Sequence, residues 1–474
     1  MALQKVDTSS GQVSGVDDLS PAASSVINWE EDEAGISRPR AALAAYAVTG
    51  LTTAKIIGIE RWGAYTVFVD SDRKFQTISD YSPSIANAAS SSSTATQLQG
   101  TRRPTWVIAH DYIYAAGGGK IQRWGSSLFN SELVTDSPAC THIASLGQYL
   151  IANDVGDPTR FKWSDIGEGA WTSWPSANAT GADARPDNII GIFENANRLY
   201  IFGEGSLQIY EVGSDATLPF DLIGSVDTGL GAPYAVARMD QQLAYLDHRR
   251  RVVVGDGVAS EPISGAIEKD LRGLTTISDC HMYREEVGQQ ANLVVRFPTE
   301  ARTFVYDLKG TKWRERTGYT APFLTDYPVN GYTYRKVDNA HIVASTSATG
   351  ALYKLSTTSR QDLGGPLVCE RTTGWNEFGS ANRKRSNGLV LISRRGTAAQ
   401  GATPAAYEVR VQADDGPWSP WEFVSVGEPQ QYEQKRKIHK HGIFSRRRYG
   451  VRVSGTEDTS LVALYDDVTD LGAA

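Results

Sequence analysis

A lysine behind three glycines, two histidines around a lysine, three cysteines and scattered aspartates are the residues here whose types could do chemistry. Ala116-Gly117-Gly118-Gly119-Lys120 has the composition of a loop whose amides cradle phosphate. However, Tyr114 stands where the first glycine belongs and Ile121 where Ser or Thr would hold magnesium, so the run reads as a hairpin turn. His439-Lys440-His441 could present two imidazoles from one side of a regular strand, yet no acidic or cysteine partner lies near in sequence. Cys140, Cys280 and Cys369 are odd in number, far apart and not in CxxC pairs. Neither a disulfide framework nor a zinc knuckle is indicated, and a reducing compartment fits. Among the carboxylates, including Asp154, Asp157 and Asp165, no pair has the contrast of environments that glycoside hydrolysis needs. The expectation is no catalytic residue, no cofactor and no metal.

Two further groupings carry charge or aromatic character. Asp414-Asp415-Gly416-Pro417-Trp418, with Trp421 beyond, is similar to a degenerate Asp box of sialidase-type propellers, but Gln412 replaces its Ser or Thr and the box does not repeat. A tight turn capped by tryptophans is the better account. Lys435, Arg436, Lys437, Lys440, Arg446, Arg447, Arg448 and Arg452 place eight cations in eighteen residues of a chain whose net charge is −7. Arg383-Lys384-Arg385 and Arg394-Arg395 could extend the patch. Such density repels itself unless carboxylates or phosphates face it. The run Glu30, Glu31, Asp32 and Glu33 is the candidate counterpart, supplied by a neighbouring subunit, and the expectation is a subunit or nucleic-acid contact. A solvated, charged strand edge that blocks unwanted pairing is the alternative.

The elements that must position these residues are strands. Ile189 to Phe193, Leu199 to Phe202 and Leu207 to Tyr210 are apolar runs separated by short polar turns, and similar units begin at Ile56, Trp106, Ile143, Val236, Leu293 and Ile342. Serial three-strand units of this length, with only Ser264 to Arg272 offering helical character, predict an all-β chain: a β-propeller of six or seven blades over residues 41–362. After residue 362 longer strands at Gly388 to Arg394, Tyr407 to Gln412 and Gly450 to Ser454 predict a β-sandwich-like domain over 363–474. Residues 1–40 read as an N-terminal arm at a subunit interface, and Ala88 to Thr96 as an exposed loop. Met1 to Ser25 lacks the apolar core of a signal peptide, and Ala41 to Val48 is far shorter than the roughly 20 residues needed to span a bilayer, so neither secretion nor membrane insertion is expected.

Pro186 to Ile192, Leu199 to Gly203 and Ser206 to Tyr210, then Ala259 to Ser264 with Ile267-Glu268-Lys269, and finally Arg446 to Val453, together resemble the packaged-DNA-stabilisation proteins of short-tailed bacteriophages, also called tail hub or nozzle proteins. The resemblance implies a structural virion protein of the tail, assembled in the host cytoplasm as a homo-hexamer below the portal and adaptor. It further implies contacts with the tail adaptor and with a needle, fibre or spike protein. Genomic double-stranded DNA would be retained in, and later pass through, the ring channel without sequence readout. A lumen of that kind is served by neutral or acidic walls, because each phosphate neutralised by Lys or Arg would hinder sliding. The alternatives are a carbohydrate-active or carbohydrate-binding propeller of sialidase type, and a monomeric scaffold.

Overall fold

Two-residue turns organise most of the chain. His110 (φ 53°) and Asp111 (φ 61°), and likewise Ala196 (φ 51°) and Asn197 (φ 61°), are both left-handed, the geometry that lets two twisted strands meet in a tight hairpin. The structure is a computed structural model that describes residues 2–8, 11, 24–32, 36–48, 54–81, 88–90, 97–125, 131–166, 170–182, 185, 187–215, 217–348, 350–395, 406–425, 433–439, 442–455 and 459–472.

Each hairpin opens a four-stranded antiparallel sheet, and seven such units follow in order around an axis. The first comprises Ile56–Trp62, Tyr65–Asp70, Phe75–Ser79 and Ala88–Ser90, and the fourth Ile189–Asn195, Arg198–Gly203, Leu207–Val212 and Phe220–Val226. Six units are free-standing sheets; the remaining one, His281–Val287 to Lys312–Glu315, is the first part of a nine-stranded sheet. The last blade is Val329–Arg335, Ala340–Ser345 and Leu352–Ser356, and its outer strand comes from the other end of the chain: Ala42–Ala45 pairs antiparallel with Leu352–Ser356, Leu43 opposite Leu355. The ring is thus closed by hydrogen bonds between sequence-distant segments.

Second strands are buried on both faces because blades stack face to face. In Arg198–Gly203 every residue after Arg198 is buried, and Tyr200 and Phe202 pack with Leu243 and Tyr245 of the next blade. Each such apolar side chain removed from water contributes roughly 1.5–3 kcal/mol. The expected helix is one short turn pair, Gly265–Ile267 and Glu268–Gly273, whose Ile267 and Leu271 pack under blades five and six.

The second body is a β-sandwich. One sheet runs Trp29–Glu31, Ser37–Pro39, Thr459–Asp470, Lys384–Arg395, Glu433–His439, with Ala2–Val6 added against Thr459–Asp470 and Ile443–Phe444 against Lys384–Arg395. The other runs Ser25–Ile27, Cys369–Thr372, Arg447–Ser454, Ala406–Ala413, Glu422–Ser425, and joins the sixth blade through a parallel pairing of Ile27 with Glu315. Val6, Trp29, Leu389, Leu391, Tyr407, Tyr449 and Leu464 share its core. The described strands before residue 40 are therefore built into both sheets of the sandwich, where the sequence reading expected a separate arm. Their short length hid them: strands of three to five residues carry almost no periodicity, and most of their partners lie hundreds of residues away. Two blades were also read out of phase, since Leu293 and Ile342 fall on second strands; His281–Val287 and Val329–Arg335 precede them.

Candidate interface on the sandwich, and the propeller axis

The basic segment divides by strand alternation. Along Arg447–Ser454 the residues Arg447, Tyr449, Val451 and Val453 face the sandwich core, and Arg448 and Arg452 face outward. Arg447 is fully buried. Its Nη1 donates to Asp466 Oδ2 at 3.1 Å, the Tyr449 hydroxyl donates to the same oxygen at 2.6 Å, and the Ser386 hydroxyl donates to Oδ1. The guanidinium also lies 3.8 Å from the centre of the Phe444 ring. Burial, with Asp466 adding to it, pushes the Tyr449 hydroxyl well above its ordinary value of 10.0.

The outward arginines interleave with tryptophans. Arg446 lies 4.8 Å from the Trp375 ring centre and bonds Asp415 at 2.6 Å. Arg448 is 5.1 Å from both Trp375 and Trp418 and donates to Gln412 Oε1. Arg410 is 4.5 Å from Trp418 and 4.2 Å from Trp421, and bonds Glu370 at 2.9 Å. Arg452 closes the series at 4.6 Å from Trp421, bonding Glu408 at 2.6 Å. That last bond raises the Arg452 guanidinium above its ordinary value, whereas burial lowers Arg410. The repulsion that the sequence reading assigned to a partner's carboxylates is met here by ring faces and by carboxylates of the same sheet. Arginines at 446, 448 and 452 with tryptophans at 418 and 421 were the legible signal for this ladder. The Asp414-Asp415-Gly416 run is the turn beneath it: Asp414 Oδ1 accepts the Ser445 and Arg446 amides at 2.9 and 3.0 Å.

Lys435, Arg436 and Lys437 lie elsewhere, on Glu433–His439, which is the edge strand of the other sheet. Lys435 and Lys437 are exposed, with Lys437 Nζ 3.7 Å from Asp467. Lys440 and Glu33 fall outside the described residues. Within this chain the described members of the acidic run pair away from the basic segment. Glu30 takes Arg316 at 3.0 Å, Glu31 takes Lys312 at 2.6 Å and Arg371 at 3.2 Å, and Asp32 takes Arg38 at 2.7 Å. These pairs tie the N-terminal strands to the sixth blade and to Cys369–Thr372. Of the other cations named with the patch, Lys384 is buried and donates to the carbonyls of Asn382 and Ser445 at 2.8 and 3.0 Å.

The propeller axis is nearly filled. Its cavity of about 300 Å³ is lined from all seven blades, by residues that include Ile59, Trp106, Ile143, Phe193, Val236, Tyr283 and Tyr332. A double helix, whose major groove alone is about 12 Å wide, cannot thread it. The glycine run at 117–119 forms the connection between Tyr112–Ala116 and Gln122–Gly125, with the Gly118 amide on the Cys140 carbonyl at 2.8 Å. Among the described residues no three His, Cys, Asp or Glu side chains group as metal ligands, and no helix is long and apolar enough to cross a membrane.

Residues 46–359 match the phage-stabilisation family described as bacteriophage P22 Gp10, β-propeller. No curated protein matches the chain. Similar solved structures include the Neurospora crassa Pan2 WD40 domain, at 10% identity and a TM-score of 0.40 over 64% of this chain and 89% of that one. BBS1N in complex with ARL6DN has 14% identity and a TM-score of 0.39 over 67% and 98%. The extracellular domain of BT4673 from B. thetaiotaomicron has 10% and 0.43 over 73% and 43%. The family match runs from just after the closing strand to just after the last blade, so it takes in every strand of the ring except Ala42–Ala45: the chain belongs to the family of the bacteriophage P22 Gp10 β-propeller, tail-associated structural proteins of phage DNA stabilisation.

Proposed function

We propose that the chain is one of six subunits in a ring that continues the DNA channel of a short phage tail below the portal and adaptor, holding the packaged genome and conducting it at ejection. Family membership is the observation that carries this reading. The filled propeller axis directs it further: a duplex can pass only between chains, so the conduit has to be a property of an assembly. A rigid wall element suits that task. The propeller is closed by Ala42–Ala45 and shares a nine-stranded sheet with the sandwich, so the two bodies resist separation.

The surface supplies faces for neighbours. Phe220–Val226 is the outer strand of its blade and exposes Leu222 and Ile223, with Val212, Leu218 and Val258 exposed nearby, an unpaired edge of the kind that another chain can cover. Lys435, Arg436 and Lys437 form a second edge, which we assign to an adaptor or subunit contact and not to the DNA path, because cations in the lumen would grip phosphate. A chain of net charge −7 is suited to repel DNA weakly from the remaining walls. Needle, fibre or spike proteins would engage the assembled ring. No catalytic step is assigned, and the sialidase-type alternative gains nothing from a lone Asp414 turn that serves the arginine ladder. Native mass spectrometry with the purified adaptor tests the proposal: six copies per complex are expected, and a chain that stays at 51.5 kDa with the adaptor present would contradict it.

A further inference from the structure

One end of the axial cavity holds a positive charge that no carboxylate of the described residues pairs with. Arg103, two residues before the inner strand Thr105–Ala109, crosses to the start of the last blade, where Nη2 donates to the Asn330 carbonyl at 2.7 Å and Nη1 to Asn330 Oδ1 at 3.3 Å. Those bonds leave other guanidinium N–H groups free. The approach depends on Gly331, where a Cβ would come within 3.3 Å of Nη2. Among the described residues no carboxylate lies within ion-pair distance of Arg103, and burial pulls its guanidinium down to about 10.

Beside this arginine stand buried hydroxyls without partners among the described residues. Tyr234 and Tyr283 line the same cavity, both interact electrostatically with Arg103, and neither buried hydroxyl has a hydrogen-bond partner. His281, beside Tyr283 on the same strand, is 3% exposed, and its Nε2 is also unpartnered. Burial, then the charges of Arg103 and Arg296, hold that ring well below its ordinary value, with Lys55 contributing in the same direction. Arg296 has its own carboxylate, Asp326, at 2.6 Å. The acids of the cavity belong to its other end: Glu194 takes Arg238 at 3.1 Å, and Glu60, raised by burial, is offset by Arg238 and not by Arg103.

We propose that the Arg103 end of the propeller axis binds a phosphate-sized oxyanion, held by the free guanidinium N–H groups of Arg103 and by the hydroxyls of Tyr234 and Tyr283. Water could occupy the hydrogen bonds, but it would leave a half-buried cation without a counter-charge, which costs more than a fully solvated one. An oxyanion satisfies both needs at once, because charge-assisted bonds to a guanidinium are the strong ones. The site is separate from the surfaces assigned to assembly and does not depend on them.

Calorimetric titration of the full chain with inorganic phosphate, in chloride buffer of matched ionic strength, tests it. Saturable binding of one phosphate per chain is expected. Tyr283→Phe, which removes only the hydroxyl, is expected to weaken binding about tenfold, and Arg103→Gln to abolish it, with β-sheet circular dichroism retained. Absence of saturable binding by the native chain would overturn the proposal, and so would Tyr283→Phe and Tyr234→Phe proteins that both bind phosphate as the native chain does. Those two tyrosine variants decide the matter even if Arg103→Gln fails to fold.

Discussion

At the scale of single residues, neighbouring arginines in one basic run have different duties. Arg447 is fully buried against Asp466, so Arg447→Ala strands a buried carboxylate and is expected to cost about 3–5 kcal/mol in a denaturant titration. Arg446→Ala breaks a partly exposed pair with Asp415 and is expected to cost less than about 1 kcal/mol. Replacing the exposed Lys435 and Lys437 by Ser is expected to leave stability within about 0.5 kcal/mol, which makes them the substitutions suited to probing assembly. Equal losses for Arg447→Ala and Arg446→Ala would contradict the split by strand alternation. The sequence displayed the charge density but not this division, because the strand register that sends Arg447 inward depends on pairing with Ala406–Ala413.

His142 gives a pH signature. Burial is the main reason that its imidazole falls to about 4, while its bond to the Pro233 carbonyl opposes the fall and Arg102 adds to it. The folded chain therefore stays unprotonated there while the unfolded chain binds a proton near pH 6.5. Stability contributed by the neutral ring is complete above about pH 6.5 and is lost as pH falls toward 4, on the order of 3 kcal/mol in all. Thermal unfolding at pH 7.5 and pH 5 is expected to show a smaller drop for His142→Gln than for the native chain; an equal drop would contradict this.

At the scale of elements, the hairpins were legible and the closures were not. Local strand pairs announce themselves by apolar runs around turns such as Ala196-Asn197, and the units beginning at Ile56, Trp106, Ile143, Ile189 and Val236 coincide with real blades. Outer strands such as Ser260–Pro262, short and mostly exposed, have no such signal, and Ala42–Ala45 shows only as an alanine-rich stretch. Asn28 reveals how such segments are fixed. Its side chain donates to the Val368 carbonyl at 2.8 Å and to Thr317 Oγ1 at 3.0 Å, and accepts from Arg40 Nε and the Thr317 amide at 2.9 Å each. Propeller and sandwich thus share one buried polar junction. Calorimetry is expected to give a single unfolding transition, lowered but not divided by Asn28→Ala, which leaves Arg40 and Thr317 short of partners at a cost of about 1–3 kcal/mol. Two separate transitions in the native chain would show that the shared sheet does not couple the bodies.

At the scale of the whole molecule, a seven-bladed ring with a nearly filled axis, a sandwich locked to its sixth blade and two candidate contact edges describes a building block. Fold class was readable from serial strand units, and the family from short stretches of residues in order. Which face meets a neighbour was not, since both candidate edges are ordinary strands whose meaning depends on chains outside this one. The central claim is most directly tested by a cryo-electron reconstruction of intact tails carrying Lys435→Ser and Lys437→Ser beside native tails. The account predicts a native ring of six copies with Glu433–His439 at a protein contact away from the lumen, and loss of the ring in the mutant. Mutant tails that assemble with six copies, with that strand facing the DNA, would contradict it.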